Sequence, residues 1–471
     1  MHTPTETNED LLSVAEQLEP ATDEISLKSD LIYGLEDRPP VRESIFAAIQ
    51  HVFASFVGII TPSLVVGGAL GLDPADASYL VSMSLFVSGI ATFIQAKKIG
   101  PVGSGLLSIQ GTSFAFIGPI IAAGTGIVDA GGTTQEALGT IFGLCLLGSF
   151  IEMFFSRFIQ FAGKIITPLV TGIVVTLIGL TLVNVGLTSM GGGFGAKEAG
   201  TFGSPQYLLL SLLVLATIVV LNSLRSSFLR MSSVAIALII GYIIAIPMGL
   251  VNFNNLSNLS LITVPIPFKY GFGFNFAAFI PFAFLYLITT IESTGDLTAT
   301  SLLTGQPITG EKYMTRIKGG ILGDGVNSGI AAIFNTFPNT TFSQNNGVIQ
   351  LTGVGSRYVG FYIAGIFAIL GLVPIVAGIF QTIPQPVLGG ATIIMFGTVA
   401  VAGIKIITQV EIDKRASIIL ATSLGLGLGV SVVPDILDQM PALIKSIFSS
   451  GISTGGLTAL VLNMVLPGRS K

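Results

Sequence analysis

Charge is what this sequence has least of: only 10% of its 471 residues are Asp, Glu, Lys or Arg, against roughly a quarter in an ordinary soluble protein. That scarcity excludes a soluble globular fold of this size. A single cysteine, Cys145, excludes an intrachain disulfide. Two histidines and that cysteine cannot make a metal cluster, so no metal or cofactor is expected. No Gly-x-x-x-x-Gly-Lys-Ser/Thr loop is present, which removes a built-in ATPase. No Ser/His/Asp arrangement suggests catalysis, so the chain does not read as an enzyme, and no nucleic-acid partner is expected. The start of the chain lacks the basic residues, apolar stretch and cleavage site of a signal peptide. Residues 1–40 are instead an acidic tail, running from Glu6 to Asp37 with few apolar residues. Such a tail is expected to be disordered until near Pro39–Pro40.

Hydrocarbon is what is there. Hydrophobic residues make up 51% of the chain, and apolar runs of about 20 residues, the length that crosses a bilayer core, recur from Ser44 to Pro467. Hydropathy places fourteen spans near 44–69, 75–96, 105–123, 136–154, 165–186, 205–223, 233–250, 275–301, 317–334, 340–354, 357–378, 385–404, 415–432 and 447–467. The third and tenth are poor as continuous helices. With the N-terminus inside, eighteen of the twenty-one Lys and Arg residues fall in the tail, the even-numbered loops and the C-terminus. Cytoplasmic loops are enriched in these residues, so both termini are expected to be cytoplasmic. An internal repeat runs through the pattern. Pro168 is followed by Gly172 and Gly179 in span five, and Pro386 by Gly390 and Gly397 at the same offsets in span twelve. Thr112-Ser113-Phe114 in span three echoes Thr340-Thr341-Phe342 in span ten. Seven spans separate the members of each pair, which inverts the second copy. The expected fold is therefore an all-α polytopic membrane protein, a 7+7 inverted repeat with a site near the midplane where the repeats meet.

The chemistry concentrates between Asn335 and Asn346, which reads Asn-Thr-Phe-Pro-Asn-Thr-Thr-Phe-Ser-Gln-Asn-Asn. Nine of these twelve side chains form hydrogen bonds and none is charged. Lipid cannot accept them, since each unsatisfied polar group costs several kcal/mol. They belong inside protein or along a cavity. Leu107–Gln110 alternates polar and apolar residues with a strand period. Spans three and ten are thus expected to hold short extended segments that can pair, leaving two half-helices aimed at a common centre. Few ionisable residues lie within spans: His51, Glu152, Glu292, Asp296 and Asp324. Intramembrane acids are costly and by default functional. Glu292 and Asp296 share one helical face, with Ser293 and Thr300. Two neighbouring carboxyls in a low dielectric do not both carry charge cheaply, which makes one a candidate proton carrier. Asp324 stands six residues, about 9 Å along a helix, beyond Lys318, so an ion pair there is the alternative to a functional role. Glu152, close to Arg157, reads as structural. His51, beside Gln50, can hydrogen-bond a neighbouring helix.

The run Gln344-Asn345-Asn346-Gly347-Val348-Ile349-Gln350-Leu351-Thr352-Gly353-Val354, with Ser356-Arg357, resembles the signature of the nucleobase–ascorbate transporters. Gly103–Gln110 and Leu35–Pro40 resemble the bacterial xanthine permease branch of that family. The similarity extends from about Asp30 to Gly468. It implies a core domain of spans one to four (44–154) and eight to eleven (275–378). It likewise implies a gate domain of spans five to seven (165–250) and twelve to fourteen (385–467). A homodimer, proton-coupled uptake and an inner-membrane location follow from the same resemblance. The family's substrate-binding glutamate falls on Glu292, its span-ten amides on Gln344 and Asn345, and the aromatic that packs on the base on Phe114. Thr112, Ser113 and Ser343 are expected beside the ring, with Ser113 standing where some members carry Asn. Asp296, Asp324 and His51 are the expected proton-coupling residues. The expected partners are xanthine or a related purine, protons, membrane lipid and a second copy of the chain. Three other readings stand beside this one: a urate or other purine or uracil symporter of the same fold, an anion exchanger of the same architecture, and a channel or sensor.

Overall fold

The computed structural model describes residues 31–466 except 160–166, 227–228, 230–231, 253–261, 309, 343, 409, 442–443, 445–447 and 449. Helices dominate. In chain order they are α1 (Val41–Ala69), α2 (Pro74–Lys97), α3 (Ile117–Asp129), α4 (Thr134–Phe155), α5 (Pro168–Met190), α6 (Gly193–Glu198), α7 (Pro205–Ser223) and α8 (Ser233–Ala245). There follow α9 (Phe276–Leu303), α10 (Gly310–Ile333), α11 (Gln344–Thr352), α12 (Arg357–Leu372), α13 (Pro374–Gln381), α14 (Gln385–Ile407), α15 (Lys414–Val432) and α16 (Gly451–Val465). Eight of these, α1, α2, α4, α5, α7, α9, α14 and α15, are long and apolar enough to cross a membrane, and α3, α8, α12 and α16 are shorter apolar helices.

Local sequence explains where many of them start. Asp73 accepts from the Ala75 and Asp76 amides at 2.9 Å and Pro74 opens α2, so the first turn is capped and φ is preset. Thr133 and Glu136 form a reciprocal capping box on α4. Asn275 caps α9 and Asp413 caps α15 through the amides three residues on. One helix breaks the hydropathy rule. α10 is 24 residues long, begins seven residues earlier than its apolar stretch, and is too polar to count among the apolar eight. Its Asp324, Asn327 and Ser328 are fully buried, which works only because protein surrounds it.

Residues 110–112 (β1) and 339–341 (β2) form the one sheet among the described residues, an antiparallel pair with Gln110 opposite Thr341 and Thr112 opposite Asn339. The two extended segments do pair, as their sequence suggests. Gly111 is needed there: a Cβ on it would stand 2.5 Å from the Phe342 ring and 2.7 Å from Ile59 of α1. Around this pair the long helices dock in twos. α5 packs along α14, α2 along α12, α4 along α10 and α15 along α16.

The tail departs from expectation. Residues 31–38 are ordered, with the Ile32 amide donating to the Gly353 carbonyl (2.8 Å) and the Arg357 amide to the Leu35 carbonyl (3.0 Å). Leu35 is buried, and Glu36 pairs with Arg357 at 2.8 Å. One buried leucine and backbone hydrogen bonds to the turn between α11 and α12 anchor a segment whose composition is otherwise that of a disordered tail. Residues 1–30 lie outside the description.

The α5–α14 contact rests on Gly179, whose Cβ would stand 2.3 Å from the Ala400 nitrogen and 2.6 Å from the Phe396 carbonyl. Replacing it with Leu is expected to lower the melting temperature of the detergent-purified protein, since overpacking a tight contact costs about 1–3 kcal/mol or more. Gly397→Ala, on α14 with open space around its Cβ, is the control expected to melt like the wild type. Equal melting of the two variants would mean that the helices can separate freely there.

Candidate functional site

The strand pair lies in the middle of the helical body, and β1, β2, α9 and α11 bring most of the expected residues to one place. Glu292, on α9, is half-buried and has no hydrogen-bond or ion-pair partner among the described residues. One turn on, Asp296 accepts from the Thr341 hydroxyl of β2 at 2.9 Å. Thr300, one turn further, donates to the Asn346 side chain of α11 at 2.7 Å. A ladder of side chains thus ties α9 to β2 and α11, and only its first rung is open.

Asn345 reaches across to α1. Its amide nitrogen donates to Nδ1 of His51 at 2.9 Å and lies 3.3 Å from the His51 carbonyl. An amide N–H facing Nδ1 requires that nitrogen to be the acceptor, so the ring proton sits on Nε2. His51 is fully buried and bonds a neighbouring helix as its sequence allows.

Phe114 opens the 3₁₀ turn that leads from β1 into α3, and its ring meets Phe396 of α14 edge-on at 5.7 Å. Thr112 and Ser113 are buried with hydroxyls that have no partner among the described residues. The Ser113 backbone amide donates to the Pro338 carbonyl (2.8 Å), so its hydroxyl is not used as a cap. Gln344 opens α11, but its side chain, like all of Ser343, lies outside the described residues.

Two ion pairs that the sequence left open do not form among the described residues. Asp324 makes no ion pair with Lys318; its Oδ1 accepts from Gln95 of α2 at 2.6 Å. A buried acid here is held by a neutral amide, whose own oxygen accepts from the Ser104 amide at 2.9 Å. Glu152 does not pair with Arg157. It is 1% exposed, neither of its oxygens has a hydrogen-bond partner among the described residues, and Asp324 and Glu292 stand near it. Arg157 lies beyond the end of α4 and is exposed, where hydration is cheaper than reaching back into the body.

Sequence reasoning missed the supports of the site. Gln95 fixes Asp324. Thr92 holds the Gln110 amide (3.0 Å), and Ser328 both donates to the Asn339 carbonyl and accepts from its amide at 3.1 Å. The one available signal was an amide, Gln95, inside an otherwise apolar run.

A cavity of about 620 Å³ opens between α3, α5, α9 and α16, lined by Gly118, Thr181, Pro281 and Ile452 among others, and begins four residues beyond Phe114.

Interrupted helices meeting at a paired-strand break, beside a carboxyl with no partner among the described residues, define a multi-pass membrane transporter. The chain matches the profile described as the permease family over residues 42–436. It is 51% identical to the xanthine permease XanP of Escherichia coli K12, across 93% of this chain and 95% of that protein. XanQ of the same strain is 48% identical across 93% and 94%, and the xanthine permease of Bacillus subtilis 36% across 88% and 92%. The chain belongs to this permease family, the nucleobase–ascorbate transporters, and is a permease rather than an enzyme. Its fold is shared more widely. The transmembrane domain of a cyanobacterium bicarbonate transporter, BicA, superposes with a TM-score of 0.57 at 16% identity, over 88% of this chain and 100% of that one. The murine anion transporter Slc26a9 in its inward-facing state gives 0.62 at 12% identity, over 98% and 72%. At such identities the likeness is one of fold alone.

Proposed function

We propose that this protein imports xanthine across the inner membrane by proton symport, with core and gate helices exchanging access to one central site. The observation that carries the reading is Glu292, a carboxyl without a partner among the described residues, on the helix that Asp296 ties to β2. Xanthine presents adjacent N–H donors and carbonyl acceptors in one plane. A carboxylate accepts two parallel N–H bonds, and an amide such as that of Gln344 supplies one donor and one acceptor. The relatives named as xanthine permeases support the same substrate.

The helix contacts support fourteen spans in a 7+7 repeat. Spans five and twelve (α5, α14) meet each other, as do spans three and ten through β1 and β2. The α2–α12 contact joins spans two and eleven. An exchange of repeats turns it into spans nine and four, which is the α10–α4 contact. Contacts related in this way favour a core of spans one to four and eight to eleven, with the rest as gate. The Phe114–Phe396 pair then crosses from core to gate. With the termini in the cytoplasm, the 620 Å³ cavity lies in the outer half and serves as the entry path. The resemblance to the family implies a homodimer.

The anion-exchanger reading loses ground on charge. An anion site calls for a cation at the half-helices, and neither α3 nor α11 contains Lys or Arg. The test is uptake of labelled xanthine into cells lacking their own permeases, competed by urate, guanine, hypoxanthine and uracil. Competition by urate or uracil that equals unlabelled xanthine would reassign the substrate.

Selectivity should reside partly in the free hydroxyls at the break. Ser113→Ala and Ser113→Asn are expected to change competition by substituted xanthines more than they change maximal rate. An unchanged competition profile would place Ser113 outside the site.

A further inference from the structure

Glu152 is the intramembrane acid that the mechanism above leaves idle. Both its oxygens are buried and have no partner among the described residues. An unpaired buried charge costs several kcal/mol, so the side chain rests as the neutral acid. α4 is packed by α10, α9 and α3. The titratable groups that face Glu152 from them are Asp324 on α10 and Glu292 and Tyr286 on α9. The sole titratable side chain of α3, Asp129, is its last residue. Cys145 is the buried titratable neighbour on α4 itself. Tyr286 is committed, its hydroxyl donating to the Cys145 carbonyl at 2.7 Å.

Glu292 is given to the purine in the reading above, which leaves Asp324, on the helix that packs along α4 beside Glu152. Gly325 lets α10 press on α4, since a Cβ there would stand 2.9 Å from the Met153 nitrogen and 3.2 Å from the Ser149 carbonyl. Asp324 and Glu152 each neighbour this contact in sequence. Asp324 has one oxygen held by Gln95, and the other, Oδ2, makes no hydrogen bond within ordinary geometry among the described residues, with the side chains of Ser293 and Gln110 close by. Among the described residues, three carboxyl oxygens without a hydrogen bond therefore flank one tight contact, and no cation is paired with either acid. Glu152 is also three residues from the end of α4 at Phe155 and five from exposed Arg157.

We propose that Glu152 is the relay through which the transported proton leaves Asp324. Glu152 gives its proton to water at the end of α4 and becomes a carboxylate. It then takes the proton of Asp324, and the Asp324 carboxylate left behind is held by the Gln95 N–H. The relay rests on the proton-symport reading.

The test uses the full chain in cells lacking their own purine permeases. Accumulation of labelled xanthine is read beside counterflow, an exchange that moves no net proton. Glu152→Gln keeps the shape of the neutral acid and cannot release a proton. Its accumulation is expected to fall by at least about tenfold, the worth of one pH unit, while counterflow stays near wild type. Accumulation at the wild-type level would overturn the relay, because an acid that never ionises is well replaced by its amide. Loss of counterflow at normal membrane abundance would overturn it too, placing Glu152 in binding or in the rocking step. If Glu152→Gln fails to reach the membrane, Glu152→Asp decides. A displaced pH profile of accumulation supports the relay, and an unmoved profile removes it. Wild-type accumulation that ignores a protonophore would sink proton symport, and the relay with it. Protonophore-sensitive wild type with an unaffected Glu152→Gln would sink the relay alone.

Discussion

Replacing Glu292 with Gln is expected to abolish xanthine uptake while the protein still reaches the membrane. Glu292 has no partner to lose among the described residues, so the fold does not depend on its charge. What the change removes is one face of the purine site. A carboxylate offers two acceptor oxygens to two N–H groups. The amide offers one acceptor and turns a donor toward a donor. Sites built on such bonds reject a mismatched partner by roughly 10⁴-fold, and charge-assisted bonds are the stronger kind. Uptake should therefore drop by at least about a hundredfold. Membrane abundance measured on the same cells separates this loss from misfolding. Wild-type-like uptake by Glu292→Gln would remove Glu292 from the site and, with it, the observation on which the functional reading rests.

Much of the architecture was legible in the chain because its physics is local. Apolar runs report a bilayer's thickness, and the Pro and Gly offsets in spans five and twelve belong to helices that pack on each other, α5 and α14. The strand period at Leu107–Gln110 and the amide-rich stretch ending at Asn346 pointed to β1 and β2, which pair in register. Glu292 stood out because a carboxyl in hydrocarbon needs a reason. What stayed hidden depends on distant residues meeting. Gln95 holds Asp324 across 229 residues of sequence, and no periodicity on either helix announces that bond. Glu152 read as structural because Arg157 was close along the chain, yet Glu152 is buried inside α4 while Arg157 is exposed beyond its end. Leu35 anchors a segment whose composition averages to disorder, and an average conceals one well-placed side chain.

Asp324→Asn is expected to abolish concentrative uptake and to leave xanthine exchange in place. The amide keeps an oxygen for Gln95 to bond, so α2 and α10 stay tied where Gln95 now spans 2.6 Å to Oδ1 and 2.7 Å to the Gly320 carbonyl. It loses only the capacity to take up and release a proton. That capacity matters because xanthine near neutral pH carries little charge, so the membrane potential alone does little to concentrate it. A proton gradient supplies about 1.4 kcal/mol per pH unit, and the potential adds about 2.3 kcal/mol per charge per 100 mV. One proton moved with each purine thus sustains a gradient of more than about a hundredfold under ordinary conditions. Without it, internal xanthine should rise only to the external level. Counterflow needs no net proton movement and should survive, since Glu292 and Thr112 are untouched. In the wild type a protonophore should collapse accumulation and replacement of sodium should not. Accumulation that followed sodium and ignored the protonophore would refute proton symport while leaving the purine site standing. Asp324→Asn that still concentrated xanthine would move the coupling proton to another acid of the cluster, with Asp296, already bonded to Thr341 at 2.9 Å, the next to replace.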